Sequence, residues 1–193
     1  MPSAMPKENA DLGTLKKDHR GLRRRPLYTP LAFVIASVVA VVLAGGWLVA
    51  SWGNTTVVLV RHAEKLSEDQ DPGLSEAGQA RAERLAGMLG AAGLDAIYVS
   101  EAKRTQETAA PVAGATGLEP RVVPAEAPGR LVRRLKWRHR GDGVLVVGHV
   151  NTLPEIAEGL GVSIGLVDEQ DYGGLWVVSY SRLRGTRLLT LRY

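Results

Sequence analysis

The sequence predicts an α/β protein: a three-layer sandwich with a mostly parallel central sheet flanked by helices, preceded by one N-terminal transmembrane helix. Two observations support this prediction. Short, continuously apolar segments alternate with helical patterns over most of the chain, and a separate uncharged apolar run lies near the N-terminus. The 193 residues include no cysteine, which excludes disulfide frameworks, thiolate metal sites and cysteine nucleophiles.

The net charge of +4 belongs to an N-terminal arm. Residues 1–30 hold seven basic and three acidic side chains, so the charges of the remaining residues sum to zero. A nucleic-acid-binding domain normally carries its positive surplus on its folded part. We therefore predict a basic cytoplasmic arm at residues 1–30 and no nucleic-acid partner.

The apolar run at residues 31–52 is 22 residues long and contains no charge. As a helix it would span about 33 Å, close to the roughly 30 Å hydrocarbon core of a bilayer. Tyr28, Trp47 and Trp52 lie near its ends, where interfacial aromatic residues are typical. Because basic residues precede the run, the positive-inside rule predicts a cytoplasmic N-terminus and an extracytoplasmic domain at residues 53–193.

Two other interpretations of this run stay open. A cleaved signal peptide would export the domain, although the run exceeds a usual signal core and Leu48 fits poorly in a small-x-small cleavage site. A buried helix of a globular core nearly always shows a polar stripe. A transmembrane helix therefore fits the run best.

Residues 53–193 read as one domain of alternating strands and helices. Continuous apolar or β-branched runs, such as TTVVLV and DAIYV, predict strands at 55–60, 95–99, 121–123, 144–147, 175–180 and 187–191. Apolar residues at helical spacing predict helices at 75–89, 103–115, 128–138 and 153–160. Because continuously apolar strands are buried on both faces, helices should cover both sides of the sheet.

Basic and histidine side chains follow three of these strands. Arg61 and His62 follow the first strand, the second leads through Ser100 to Arg104, and His149 follows the fourth. In such sheets ligands bind at the carboxyl ends of the strands, so these side chains should meet at one edge. Two histidines and two arginines together are suited to binding a phosphoryl group.

This set and its flanking sequence resemble the histidine phosphatase superfamily, the phosphoglycerate-mutase-like group. The similar segments are the nucleophile motif Arg61-His62, the helix-opening segment Leu74–Gly78, the serine–arginine–threonine block Ser100–Ala109 and the second-histidine block Val146–His149. They occur in the family's order over roughly residues 55–190. The chain departs from the family at Ala63, where glycine is usual, and at Val150, where a small residue often occurs.

The resemblance implies a phosphatase that forms a phosphohistidine on His62, which water then hydrolyses. Arg61, Arg104 and a protonated His149 would bind the phosphoryl oxygens, with no metal ion and no other cofactor. Glu126 is the candidate general acid, because it lies in a loop before a helix, 22 residues after Arg104. A solvated loop carboxylate is the alternative for Glu126.

The resemblance also implies the partner, a phosphorylated small molecule or macromolecule, and leaves the substrate and the oligomeric state open. A mutase-like phosphotransferase and a catalytically silent module that binds a phosphorylated ligand are the alternative functions.

The basic segment 130–140 predicts an amphipathic helix with a charged outer face that is simply solvated. The alternative for this segment is contact with anionic lipid headgroups or an acidic substrate. Residues 67–73 predict a turn at the mouth of the pocket.

Overall fold

A computed structural model describes residues 28–50, 53–181 and 185–193 of the chain. The predicted basic arm lies outside the described residues up to residue 27. Residues 51 and 52, at the end of the predicted transmembrane segment, also lie outside them.

Helix α1 (Tyr28–Ala50) occupies most of the predicted transmembrane segment. Its stretch Leu31–Leu48 has a mean hydropathy of 2.5 and is long and apolar enough to cross a membrane. None of that stretch is buried in the described structure, whereas the core helix of a soluble protein is mostly buried. A transmembrane helix and a signal sequence both fit α1.

The centre of the domain is a six-stranded sheet with the order β3-β2-β4-β1-β5-β6. The strands are β1 (Thr55–Arg61), β2 (Ala96–Val99), β3 (Pro120–Val122), β4 (Gly143–Gly148), β5 (Gly174–Ser181) and β6 (Gly185–Arg192). The strands from β3 to β1 are parallel, and β5 and β6 add antiparallel pairings at one side. The predicted α/β sandwich with a mostly parallel sheet is confirmed.

Helices cover both faces of the sheet, as the apolar strands predict. The helices are α2 (Glu76–Leu89), α3 (Lys103–Thr116), α4 (Pro128–Arg138) and α5 (Thr152–Leu160). Alternate residues of β1 point to opposite faces. Val58 and Val60 join one hydrophobic cluster with α2 and α3, whereas Val57 and Leu59 join the other with α4 and α5.

The segment Leu74–Gly78 connects the end of β1 to α2 through a close backbone approach. The amide of Ser75 donates to the carbonyl oxygen of Glu64, and the Gly78 amide donates to Ser75 Oγ at 3.1 Å, which caps the helix. A Cβ atom at Gly78 would lie 2.3 Å from the Glu64 carbonyl oxygen. Glycine is therefore required where α2 packs against the loop that follows β1.

The strand register aligns the carboxyl ends of the three central strands. Arg61 pairs with Gly148, and Val99 pairs with Val147. The residues that follow these strands, His62, Ser100 and His149, therefore meet at one edge of the sheet.

Candidate active site

A cavity of about 730 Å³ opens at this edge of the sheet. Its lining comprises Arg61, His62, Lys65, Gln70, Asp71, Glu101, Ala102, Arg104, Ala125, His149, Val150, Asn151 and Glu169. Two of these residues, Gln70 and Asp71, come from the loop that the sequence predicts at the pocket mouth. The structure brings the four predicted phosphate-handling residues together, and the volume leaves room for more than a phosphate group.

His62 is buried and held in one tautomer. Its Nδ1 lies 2.8 Å from the carbonyl oxygen of Ala63, and since a carbonyl can only accept, Nδ1 carries the proton. The Ala63 amide donates to Thr108 Oγ1 at 2.9 Å, which fixes this peptide. Burial lowers the pKa of His62 to about 4, and the charge of Arg61 acts in the same direction. Near pH 7 the ring is neutral, and Nε2 keeps its lone pair.

His149 lies beside His62, with 5.3 Å between the ring centroids. Its Nε2 is 2.8 Å from Ser100 Oγ, and its backbone amide donates to Thr152 Oγ1 at 3.0 Å. Burial lowers the pKa of His149 to about 4, and the charge of Arg104 lowers it as well. In the ligand-free domain, burial and the charge of the arginines therefore both oppose a positive charge on the ring, whereas the resemblance implies a protonated His149 when a phosphoryl group is bound.

Arg61 is almost completely buried against the loop that leads to β5. Its Nη1 donates to the carbonyl oxygen of Asp168 at 3.1 Å and also to that of Glu169. The guanidinium carbon lies 4.0 Å from the centre of the Tyr172 ring. These contacts orient the guanidinium plane and leave its Nε without a hydrogen-bond partner among the described residues.

Arg104 lies in the first turn of α3 and faces the same cavity. Its Nη1 is 3.8 Å from the carboxylate of Asp71, a weak ion pair. Its buried Nε also has no hydrogen-bond partner in the part of the chain that the structure describes. Unpartnered buried donors are costly, so two of them on arginines beside one cavity indicate a site built for an anion.

The carboxylates near the site have different surroundings. Glu126 is exposed and does not line the cavity, although the preceding Ala125 does. Glu101 lines the cavity and accepts a hydrogen bond of 2.9 Å from the Ala125 amide. Glu64 does not line the cavity and is held by Arg81 through contacts of 2.6 to 2.9 Å.

Sequence reasoning missed two parts of this site. Glu101 is the second residue after β2, so the strand-end rule that found Ser100 could have found it. The loop 168–172 gave no signal, because it holds Arg61 mainly through backbone carbonyl groups that any residue provides. Within the described residues, no three His, Asp or Glu side chains form a cluster that could hold a metal ion.

The sequence of the domain is similar to one known protein family. The family model of the histidine phosphatase superfamily (branch 1) matches residues 57–125. None of the curated protein sequences matches the chain.

Solved structures show the same fold. A putative α-ribazole-5′-P phosphatase from Escherichia coli K-12 is 18% identical, with a TM-score of 0.58 over 72% of this chain and 96% of that one. The protein histidine phosphatase SixA in complex with tungstate is 16% identical, with a TM-score of 0.58 over 71% and 96%. A mycobacterial glucosyl-3-phosphoglycerate phosphatase is 15% identical, with a TM-score of 0.55 over 72% and 97%. The domain therefore has the histidine phosphatase fold.

Proposed function

We propose that this chain is a phosphatase of the histidine phosphatase superfamily, which hydrolyses a phosphomonoester through a phosphohistidine on His62. One observation carries the proposal: the cavity joins a neutral, tautomer-fixed histidine to two arginines whose buried Nε–H groups have no partner among the described residues. The family match over residues 57–125 supports it. The partner is then a phosphorylated small molecule or a phosphorylated macromolecule.

In the first step, the lone pair on His62 Nε2 attacks phosphorus, and the bond from phosphorus to the leaving oxygen breaks. The Nδ1–H bond to the Ala63 carbonyl stabilises the positive charge that develops on the ring. Arg61 and Arg104 donate to the phosphoryl oxygens, where the negative charge lies. No metal ion takes part in this scheme, because the two guanidinium groups supply the positive charge.

His149 is proposed to bind the phosphoryl group from the other side of the pocket. Its pKa of about 4 makes it neutral near pH 7, but a dianionic phosphoryl group beside it favours the charged form. We infer that His149 takes up a proton as the substrate binds. The contact from Nε2 to Ser100 Oγ holds the ring in place and leaves Nδ1 for the ligand.

A carboxylic acid is proposed to protonate the leaving oxygen, and its carboxylate then removes a proton from the water that attacks phosphohistidine. Glu126 is the first candidate for this role, because it resembles the acid of the family. It is exposed and lies next to Ala125, which lines the cavity. Glu101 is a second candidate, because it lines the cavity itself. Water attack releases inorganic phosphate and restores neutral His62.

Hydrolysis of an aryl phosphate by the full chain in detergent, with and without a metal chelator, tests the proposal. We expect chelator-resistant turnover that His62→Ala lowers by at least roughly 10³-fold, as for removal of a nucleophile elsewhere. Acid-labile phosphate on His62 in a quenched reaction would identify the intermediate. Turnover that survives His62→Ala would contradict the nucleophile, and a folded wild-type chain that binds phosphate without turnover would favour a binding module.

We further propose the division of the chain into a basic cytoplasmic arm (1–30), a transmembrane helix (31–52) and an extracytoplasmic catalytic domain (53–193). The length and hydropathy of α1 support a single membrane span. Retention of the full chain in the membrane after alkaline carbonate extraction would support the span. Recovery of a shortened, soluble chain would favour a cleaved signal peptide instead.

A further inference from the structure

A strongly basic surface lies at the end of the domain opposite the active site. It comprises Lys136, Trp137, Arg138 and Arg140, all exposed, and is called the basic pole below. Within the described residues, none of its three cationic side chains forms a salt bridge. The Arg140 guanidinium carbon lies 5.4 Å from the centre of the Trp137 ring.

Hydrogen bonds place the basic pole beside the first residues of β1. Thr55 Oγ1 donates to the carbonyl oxygen of His139 and accepts from the Gly141 amide at 3.1 Å. The Thr56 amide donates to the Asp142 carbonyl oxygen at 2.9 Å. The turn that follows α4 is therefore fixed to the point where the chain enters the sheet.

The chain enters the sheet shortly after the apolar helix ends. Only residues 51–54 separate Ala50, the last residue of α1, from Thr55. Five residue steps span at most about 18 Å even when fully extended. If α1 crosses a bilayer, the start of β1 and the turn bonded to it must lie close to the membrane surface.

We propose that the basic pole binds anionic phospholipid headgroups of the membrane that α1 spans. The inference rests on the proposed anchor and not on the catalytic activity. Lys and Arg near an anionic surface each favour the bound state, and tryptophan is typical of the interface. Helix-dipole stabilisation explains Lys136 and Arg138, which lie in the last turn of α4, but not Arg140, which lies beyond it.

Two acidic groups beside the turn after α4 already make contacts within the domain. Asp142 Oδ2 lies 2.9 Å from His139 Nδ1, and Asp95 accepts from the Gly143 amide at 2.8 Å. They reduce the local positive charge but do not pair with the cations of the basic pole. Among the described residues, the three cations of the basic pole therefore have no acidic partner that would compete with a negatively charged membrane.

Docking by the basic pole would direct the catalytic cavity away from the bilayer. Strand β1 runs from the basic pole to Arg61, a distance of about 20 Å at 3.3 Å per residue. The cavity would therefore take its phosphomonoester from the aqueous phase, on a soluble molecule or macromolecule, and not from headgroups of the same membrane. This consequence rests on the proposed function as well as on the docking.

Single-cysteine labels on the full chain can test the docking, because the natural chain has no cysteine. One fluorophore is placed by Ala92→Cys in the loop beside Gly143, near the basic pole, and another by Asp69→Cys at the cavity mouth. Each labelled chain is reconstituted into vesicles of phosphatidylcholine, with or without phosphatidylglycerol. Quenching by a lipid that carries a nitroxide on its headgroup then reports distance from the membrane surface.

At low salt, we expect the label at position 92 to be quenched more strongly with phosphatidylglycerol than without it. This difference should be smaller at high salt, because salt screens the attraction. The triple variant Lys136→Gln, Arg138→Gln and Arg140→Gln should abolish this difference. Each lost charge should lower the ratio of docked to undocked domains roughly fivefold. The control Arg84→Gln, Lys103→Gln and Arg130→Gln removes the same charge from exposed positions elsewhere and should keep the difference. The label at position 69 should stay unquenched throughout.

The docking would be overturned if quenching at position 92 did not depend on lipid charge. It would also be overturned if both triple variants lost the quenching equally. Equal quenching at positions 69 and 92 would overturn the orientation. A chain that does not float with the vesicles would overturn both anchor and docking. Aryl phosphate turnover by the chains labelled at position 92 reports the proposed function separately, since neither that position nor the exchanged lysine and arginine residues line the cavity.

Discussion

The two site histidines have surroundings that keep them neutral over a wide pH range. We expect His62 and His149 to titrate near pH 4 in the ligand-free domain, because burial disfavours the charged rings. NMR titration of ring-labelled histidine in residues 53–193, which contain all six strands and both main hydrophobic clusters, would measure the pKa values. His62→Asn and His149→Asn assign the signals. Midpoints near 6.5 would contradict the burial of the rings.

The same depressed pKa values predict how stability depends on pH. Between about pH 6.5 and pH 4 the unfolded chain binds protons at these positions and the folded chain does not, so stability is lost as the pH falls. A shift from 6.5 to about 4 corresponds to on the order of 3 kcal/mol for each histidine. Urea unfolding at pH 7 and pH 4 should show a smaller loss for His62→Asn than for the wild type.

The leaving-group acid can be identified by comparing two carboxylates. We expect Glu126→Gln to lower turnover of an alkyl phosphate by roughly 10²-fold or more, and that of an aryl phosphate little, because only the poor leaving group needs a proton. Glu101→Gln is the matched control, since it removes one neighbouring carboxylate in the same way. If the leaving-group dependence appears only in Glu101→Gln, the role belongs to Glu101.

Among the individual site residues, those placed by the ends of strands are the ones that the sequence predicts best. Arg61 ends β1, and His62 and His149 directly follow β1 and β4, so the sheet rule alone brings the three residues together. The protonation of His149 could not be predicted, because it depends on how deeply the ring is buried.

Among the elements, α2 offers a matched pair of glycines that separates packing from helix propensity. We expect Gly78→Ala to destabilise the domain by on the order of 2 kcal/mol, because the Cβ would lie 2.3 Å from the Glu64 carbonyl oxygen. Gly87→Ala, with nothing within 4 Å of its Cβ, should stabilise by up to about 1 kcal/mol. Urea unfolding of residues 53–193 measures both, and equal effects would show that the close approach is unimportant.

The elements themselves were predicted nearly to their ends, since caps and apolar runs are local signals. The antiparallel direction of β5 cannot be predicted from its residues, because an apolar strand looks the same in either direction. For β6 a signal existed: only residues 182–184 separate it from β5, too few for the crossover that a parallel pair needs.

For the whole molecule, the question is whether the anchor contributes to catalysis. All residues that line the cavity lie between Arg61 and Glu169, within the domain. We therefore expect deletion of residues 1–52 to release a soluble protein. Its kcat/KM for a soluble aryl phosphate should stay within about twofold of that of the full chain in detergent, because the residues that bind and convert the substrate are unchanged. A large loss in a folded fragment would show that the anchor shapes the site. Equal activity would show that α1 takes no part in substrate binding or chemistry, so that its role is to determine where the domain is located.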